Sequence, residues 1–235
     1  MTTWAAVFAR GGSKGLPGKN LMSLGGLPLV AHSIRVGQQI EGVAGVFCST
    51  DSPEIATVAR DFGAQVPFVR PAKLAGDSSP EWDSWKHLAQ HLVDTGASSE
   101  DLLVSLPAVS PLRHLSDVEA AIELFHSSGA DVVVSYTEAR RSPWFNMVTE
   151  DNHGFLNVVI RSAEGTVDRR QDSPPVFDLA TVVYVTTLGF ILTADGIFTG
   201  RVAGVRIPPE RAIDIDSQLD FAIAEFLYER SKGGS

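Results

Sequence analysis

A stretch of glycines and cations near the amino terminus, Ala9-Arg10-Gly11-Gly12-Ser13-Lys14-Gly15-Leu16-Pro17-Gly18-Lys19-Asn20, constrains this chain more than any other. It follows the apolar run Trp4-Ala5-Ala6-Val7-Phe8, which reads as a buried first strand. Four glycines and a proline exclude a helix here and let the backbone come close to a ligand. The cations Arg10, Lys14 and Lys19 sit on that loop. A Gly-rich, cationic loop leaving the carboxyl end of a first strand is where open α/β sheets hold phosphates. Neither of two common phosphate motifs fits it. Gly12 and Gly18 are separated by five residues rather than the four of a P-loop, and Asn20 replaces the magnesium-binding hydroxyl. The spacing Gly12, Gly15, Gly18 also departs from the dinucleotide fingerprint, and Gly25-Gly26-Leu27-Pro28 delays the first helix.

The rest of the chain supplies a βαβ rhythm. Leu29 to Gly37 has helical spacing, Val43 to Cys48 reads as a second strand, and Pro53 stands where a helix starts, with Glu54 in its first turn. Ile55, Val58, Ala59 and Phe62 make that helix's apolar stripe, and Gly63 ends it. Further strands are expected at Leu102 to Leu106, Asp131 to Tyr136, Val182 to Val185 and Ala203 to Ile207, with helices at Pro80 to Leu92, around Val118 to Phe125, and at Gln218 to Glu229. This order predicts a mostly parallel sheet with helices on both faces. Trp82 and Trp85 read as packing residues rather than a stacking platform.

With 235 residues and 44% hydrophobic content, the chain can bury one sizeable α/β core. A formal charge of -9 argues against a nucleic-acid surface and makes the cations around Arg10 a local feature. No apolar stretch approaches the ~18 residues of a membrane span. The single Cys48 ends an apolar run and reads as a buried structural thiol in a reducing, cytoplasmic setting.

Two segments carry further charged groups. Arg70, in Val66-Pro67-Phe68-Val69-Arg70-Pro71, is either a surface ion-pair partner or a cation fixed at a site. Arg113, in Ser110-Pro111-Leu112-Arg113, either faces the cleft or caps the following helix. Near the carboxyl terminus, Ile213-Asp214-Ile215-Asp216 alternates acid and isoleucine, which puts both carboxylates on one face of an extended segment. Such a pair suits a hard divalent cation, or equally an acid-decorated helix start. From Thr137 to Pro175 the rhythm breaks, with short strand-like runs at Phe145 to Val148 and Leu156 to Ile160.

Taken with Gly26-x-Pro28-Leu29, the glycine loop resembles the amino-terminal signature of acylneuraminate cytidylyltransferases, the CMP-sialic acid synthetases. Arg70-Pro71-Ala72-x-Leu74-Ala75-x-Asp77 is similar to that family's nucleotide-binding segment, and Ile213-Asp214-Ile215-Asp216-x-x-Leu219-Asp220 to its metal signature. The resemblance implies a Rossmann-like fold of the nucleotide-diphospho-sugar transferase type. Residues 1–136 and 176–235 would form the nucleotide-binding domain, and 137–175 an inserted arm that dimerises and reaches a neighbouring site. It implies transfer of CMP from CTP to the anomeric hydroxyl of a nonulosonic acid, with a legionaminic or pseudaminic branch in view. Arg10, Lys19 and Asp216 would be catalytic. Arg10, Gly11, Gly12, Ser13, Lys19, Asn20, Arg70, Ser78 and Ser79 would bind the nucleotide. Ser110, Arg170 and Gln171 would meet the acceptor, and Asp214 and Asp216 would hold Mg²⁺ or Mn²⁺. The partners are thus CTP, an acidic sugar and a second copy of the chain, with neither nucleic acid nor membrane. Pro107-Ala108-Val109 stands where the family has Gln-Pro-Thr, and Ala180-Thr181 where it has Asn-Gly. Both departures fall near the acceptor. They leave a cytidylyltransferase for Kdo or a phosphonate, or a non-catalytic nucleotide-binding subunit, as alternatives.

Overall fold

A computed structural model describes residues 1–76, 79–161, 169 and 172–232. The first strand, β1 (Thr3–Phe8), pairs in parallel with β4 (Val43–Ser49) on one side and β5 (Leu102–Ser105) on the other. A small antiparallel hairpin, β2 (Ser23–Leu24) with β3 (Leu27–Pro28), separates the glycine loop from helix α1 (Leu29–Gln39). Helix α2 (Pro53–Asp61) begins as its sequence dictates. Ser52 Oγ accepts from Ile55 N at 3.2 Å, Pro53 occupies the first turn, and Gly63 ends the helix at φ +84°. Then follow α3 (Glu81–Asp94), α4 (Leu115–Ser128), β6 (Val132–Glu138), β9 (Phe177–Thr187), α5 (Leu188–Thr193), β10 (Val202–Arg206) and α6 (Gln218–Lys232). Strands β7 (Val148–Glu150) and β8 (Leu156–Val158) lie between β6 and β9 in sequence.

The described residues form a six-stranded main sheet in the order β10-β6-β9-β5-β1-β4. Strand β9 runs antiparallel to both neighbours, and the remaining pairs are parallel. From β1 the chain steps outward to β4 and then crosses to β5 on the other side, so the direction of winding reverses between β1 and β5. In open α/β sheets that reversal opens a crevice at the carboxyl ends of the strands. The loops after β1 and β5 flank it.

Helices cover both faces, which is why β1 and β5 read as continuous apolar runs rather than alternating ones. Ala5, Val7, Leu102 and Val104 pack with Val30 and Ile34 of α1, Ile55 of α2 and Val118 of α4. Ala6 and Leu103 pack on the opposite face with Trp85 and Leu88 of α3 and with Leu188 and Ile191 of α5. Trp85 is thus a core residue, and Trp82 tilts against it at 5.3 Å. Cys48 is fully buried, and burial pushes its thiol up to about 12, so it is inert at neutral pH. A third, smaller cluster joins Leu16 of the glycine loop, Leu24 and Leu29 to Ile215, Phe221 and Ala224. It sews the amino-terminal loop to the carboxyl-terminal segment.

Between β6 and β9 the chain leaves the sheet. Ser142 O accepts from Phe145 N, Asn146 N and Met147 N, a tight turn that delays β7 until Val148, three residues later than the apolar pattern suggests. The β7–β8 hairpin closes on Asp151, whose Oδ1 accepts from His153 N and Phe155 N, with Gly154 at φ +82°. Met147, Val148, Phe155, Leu156, Val159 and Ile160 remain exposed.

One irregularity matters for the site. The β6–β9 register slips between Val134 and Ser135, so that Val134 opposes Tyr184 while Ser135 opposes Ala180. The extra residues bulge out of β9. Fully buried Ser135 closes the bulge: its hydroxyl donates to Ala180 O at 2.6 Å and accepts from Val182 N at 3.1 Å and Val183 N at 3.0 Å. Removing it orphans two buried N–H groups. Ser135→Ala should lower the unfolding free energy by about 1–3 kcal/mol in urea titrations, and no measurable loss would mean that the bulge stands without the hydroxyl.

Candidate active site

The glycine loop is held from several directions. Gly11 N donates to Asp51 Oδ1 at 2.9 Å, and Asn20 Nδ2 donates to the Arg10 carbonyl at 2.9 Å. Arg10 Nη1 reaches Gly76 O at 3.4 Å. Asn20 is buried and its amide braces the loop, while it also lines the cleft. Lys19 crosses nearly the whole sequence: its ammonium donates to Ile215 O at 2.8 Å and pairs with Asp216 Oδ1 at 2.6 Å. Gly15 lies so near the same segment that a Cβ there would stand 2.3 Å from the Asp216 carbonyl oxygen. The absence of a side chain permits this approach.

Arg10, Lys19 and Asn20 line a cleft of about 290 Å³ together with Arg70, Ser79 and Glu81. Pro107, Ala108 and Val109, from the loop after β5, close it on another side. Arg70 is buried, with Asp51 Oδ1 3.6 Å from Nη2 and Ser84 Oγ 3.2 Å from Nη1, while its Nε has no hydrogen-bond partner. Burial lowers its affinity for a proton, against the pull of Asp51. It is therefore the fixed cation of the two readings open from sequence. Ser79 Oγ donates to Lys73 O at 2.6 Å. Glu81 opens α3; its Oε1 accepts from Trp85 Nε1 at 3.1 Å. The residue is exposed overall, while desolvation of its carboxyl raises it above the ordinary range, with the Trp85 bond and Arg70 opposing.

The two acids are not equivalent. Ile215 between them is fully buried, and its N–H donates to Val109 O at 2.9 Å, which ties the segment to the loop after β5. Asp216 is exposed beside Lys19. Asp214 is half-buried, and its Oδ1 is buried without a hydrogen-bond partner. Burial first, then the neighbouring Asp216, raises its carboxyl to about 6, against Lys19 and a hydrogen bond from Thr181. An orphaned carboxylate oxygen next to a second carboxylate is a site short of positive charge. Its hard oxygen donors fit a small divalent cation. Among the described residues no three His, Cys, Asp or Glu cluster as a full ligand cage. Two carboxylates suit an ion that completes its shell with water and phosphate.

The surrounding frame positions Asp214. The β9 bulge turns Thr181 toward it, and the Thr181 hydroxyl also pairs with Ser110 Oγ at 2.8 Å. Ser110 is fully buried, one layer behind the cleft surface. Asp214 and Thr181 line a second cleft of about 260 Å³, with Thr137, Glu138, Arg140 and Asp178 around it. Upstream, Arg211 makes a two-pronged bond to Asp117 at 2.8 and 3.0 Å, and Asp117 Oδ2 also accepts from His114 N to start α4. Downstream, Asp220 Oδ2 accepts from Ser217 N, Ser217 Oγ and Asp216 N. Arg113 takes neither role open to it from sequence. It is buried behind the site, bonding Ser33 Oγ at 2.6 Å and the Pro107 carbonyl, and burial lowers it to about 9. It braces the Pro107 loop from below.

The structure thus gathers Arg10, Lys19, Asn20, Arg70 and Ser79 around the crevice at the β1–β5 reversal, with Gly11 on the same loop, Asp216 joined to it through Lys19 and Asp214 on the second cleft. Gly12 and Ser13 lie on the same loop, whereas Ser78, Arg170 and Gln171 fall outside the described residues. Thr181, Asp51, Ser84 and Glu81 have no motif of their own in the sequence. Thr181 alone carried a signal, as part of the Ala180-Thr181 departure.

Comparison with known proteins places the chain in a family. Residues 5–228 match the cytidylyltransferase family model. The CMP-N,N'-diacetyllegionaminic acid synthase of Campylobacter jejuni is 35% identical over 94% of this chain and 92% of its own length. The post-translational flagellin modification protein B of Campylobacter coli is 33% identical over the same shares, 94% and 92%. Among solved structures, CMP:2-keto-3-deoxy-manno-octonic acid synthetase complexed with CTP superimposes with a TM-score of 0.70 at 16% identity, covering 98% of this chain and all of that one (100%). At that identity the likeness speaks for the fold. The glycine loop, the paired acids and the sheet between them belong together: this chain is a member of the cytidylyltransferase family, a nucleotidyltransferase.

Proposed function

We propose that this enzyme transfers CMP from CTP to the anomeric hydroxyl of a nonulosonic acid of the legionaminic type and releases pyrophosphate. The observation that carries it is the meeting of Lys19 with Asp216 at the mouth of a cleft lined by Arg10 and Arg70. The names of the relatives from C. jejuni and Legionella pneumophila, both CMP-N,N'-diacetyllegionaminic acid synthases, support the acceptor class. So do the Pro107-Ala108-Val109 and Ala180-Thr181 departures, which turn the reading away from plain N-acetylneuraminate.

Phosphoryl chemistry of this kind needs in-line placement and charge neutralisation more than a covalent nucleophile. Arg10 and Lys19 hold the triphosphate, with the Gly11 and Gly12 backbone and Ser13 beside it. Asn20 keeps the loop in shape and lies against the nucleoside, while Arg70 and Ser79 line the base end. The acceptor oxygen forms the new bond to the α-phosphorus, the bond from the α-phosphorus to the bridging oxygen breaks, pyrophosphate leaves with that electron pair, and the hydroxyl proton passes to solvent. Asp214 and Asp216 would hold Mg²⁺ or Mn²⁺, which when bound offsets phosphate charge. Thr181 fixes Asp214 next to the second cleft, which is shaped to admit the acceptor. Arg170 and Gln171 meet the acceptor carboxylate or the triphosphate.

The exposed apolar residues of the β7–β8 arm, continued by Phe177 and Leu179, support a homodimer in which the 137–175 arm covers a second copy. A buried reduced cysteine and the absence of any helix, among the described residues, long and apolar enough to cross a membrane fit a cytoplasmic enzyme.

Two experiments follow. With CTP and N,N'-diacetyllegionaminic acid, Asp216→Ala should abolish pyrophosphate release without changing the circular dichroism spectrum, and Lys19→Ala should lose at least ~10²-fold in rate. Full activity in either variant would remove that residue from the chemistry. Sedimentation should give a dimer for the wild type and a monomer for Phe155→Asp/Leu156→Asp, whereas an unchanged species would place the interface elsewhere.

A further inference from the structure

Among the described residues, the cleft of Arg10 and Lys19 has one acid in its lining, and the phosphate chemistry does not use it. Glu81, at the first turn of α3, lines the cleft with Arg70, Ser79 and Ser84. A triphosphate is drawn to Arg10 and Lys19 and repelled by a carboxylate, so the base is the part of the nucleotide left to meet Glu81. Two fixed groups then face that base. Arg70 lines the cleft as a fixed guanidinium, its Nη2 beside Asp51 and its Nη1 donating to Ser84 Oγ, and offers donors from that end. Glu81 offers an acceptor whose position is set: Trp85 Nε1 holds Oε1 at 3.1 Å, and Trp85 is itself locked in the core against Phe8 and Tyr184. With Oε1 engaged, Oε2 is the oxygen available to a ligand.

We propose that Glu81 is a specificity-determining residue that accepts a hydrogen bond from the exocyclic amine of cytosine and thereby rejects uracil nucleotides. The chemistry is a complementary pattern. Cytosine presents two acceptors and an amine donor along one edge, and a guanidinium beside a carboxylate presents donors and then an acceptor. Uracil carries a carbonyl oxygen where cytosine has its amine, so the Glu81 carboxylate would meet a second acceptor and stay unsatisfied. Sites built around a hydrogen bond to a substrate group discriminate strongly against the analogue lacking it. The inference rests on CTP being the nucleotide used.

The test is calorimetric titration of CTP and of UTP, each with Mg²⁺, into the full-length protein, for the wild type, Glu81→Gln and Glu81→Ala. Wild type should prefer CTP by about 10- to 100-fold, the discrimination expected of one good polar contact to a base edge. Glu81→Gln keeps the shape and the bond from Trp85, and its amide can also donate to the uracil oxygen. It should lower the CTP/UTP ratio, largely by strengthening UTP, while Arg70 still favours the N3 acceptor of cytosine over the N3–H of uracil. Glu81→Ala should lower the ratio by weakening CTP. Variants that keep the wild-type preference overturn the assignment of Glu81 alone. A wild type that binds neither nucleotide overturns the cytidylyltransfer reading and this one with it.

Discussion

The ammonium of Lys19 ties the two ends of the chain into one site. It lies on the loop after the first strand, yet both its polar contacts, Ile215 O and Asp216, belong to the segment just before the last helix. A pair this exposed on the carboxylate side adds little stability by itself. Its importance is placement, and apolar packing supplies the energy that holds it. Leu16 and Ile215 share a small core with Leu24, Leu29 and Phe221, so loop and acids are held together whether or not a nucleotide neutralises them. Gly15 permits the contact, because any side chain there would push the Asp216 backbone away.

Around that junction the sheet divides the labour. The crevice at the β1–β5 reversal is lined by Arg10, Lys19 and Arg70. The bulge in β9 presents Thr181 to Asp214 and opens a second cleft on the acids' other side. Buried polar groups with few partners surround both: Asp214 Oδ1, Arg70 Nε and Arg113 Nε. Groups like these cost stability in an apo protein. Asp214 and Arg70 belong to residues that line clefts, whereas Arg113 lies behind the Pro107 loop and stiffens it.

Much of this was legible in the amino-acid sequence because the signals were local. The glycine loop, Pro53 at a helix start, Gly63 at its end and the Asp-x-Asp alternation each act through neighbouring residues, and each is found where the pattern puts it. What was not legible depends on distant partners. That β9 runs antiparallel, and that Ser135 bulges it, follows from strand pairing across more than forty residues, which no local periodicity records. Thr181 looked like a departure from a family pattern, but its meaning comes from Ser110 and Asp214, brought in from other elements. Arg113 could not be placed from its turn, because what decides its position is a serine on α1. The arm's apolar pattern indicated two short strands but misplaced the first, since the Ser142 carbonyl accepts from the N–H groups of Phe145, Asn146 and Met147 in a turn before pairing begins.

The most direct test of the central claim is a crystal structure with CTP and Mn²⁺, using anomalous scattering to locate the metal. The account predicts manganese density against Asp214 and Asp216, with the triphosphate running from there along the Gly11 to Lys19 loop. Nucleotide bound elsewhere, or metal away from both acids, would contradict it.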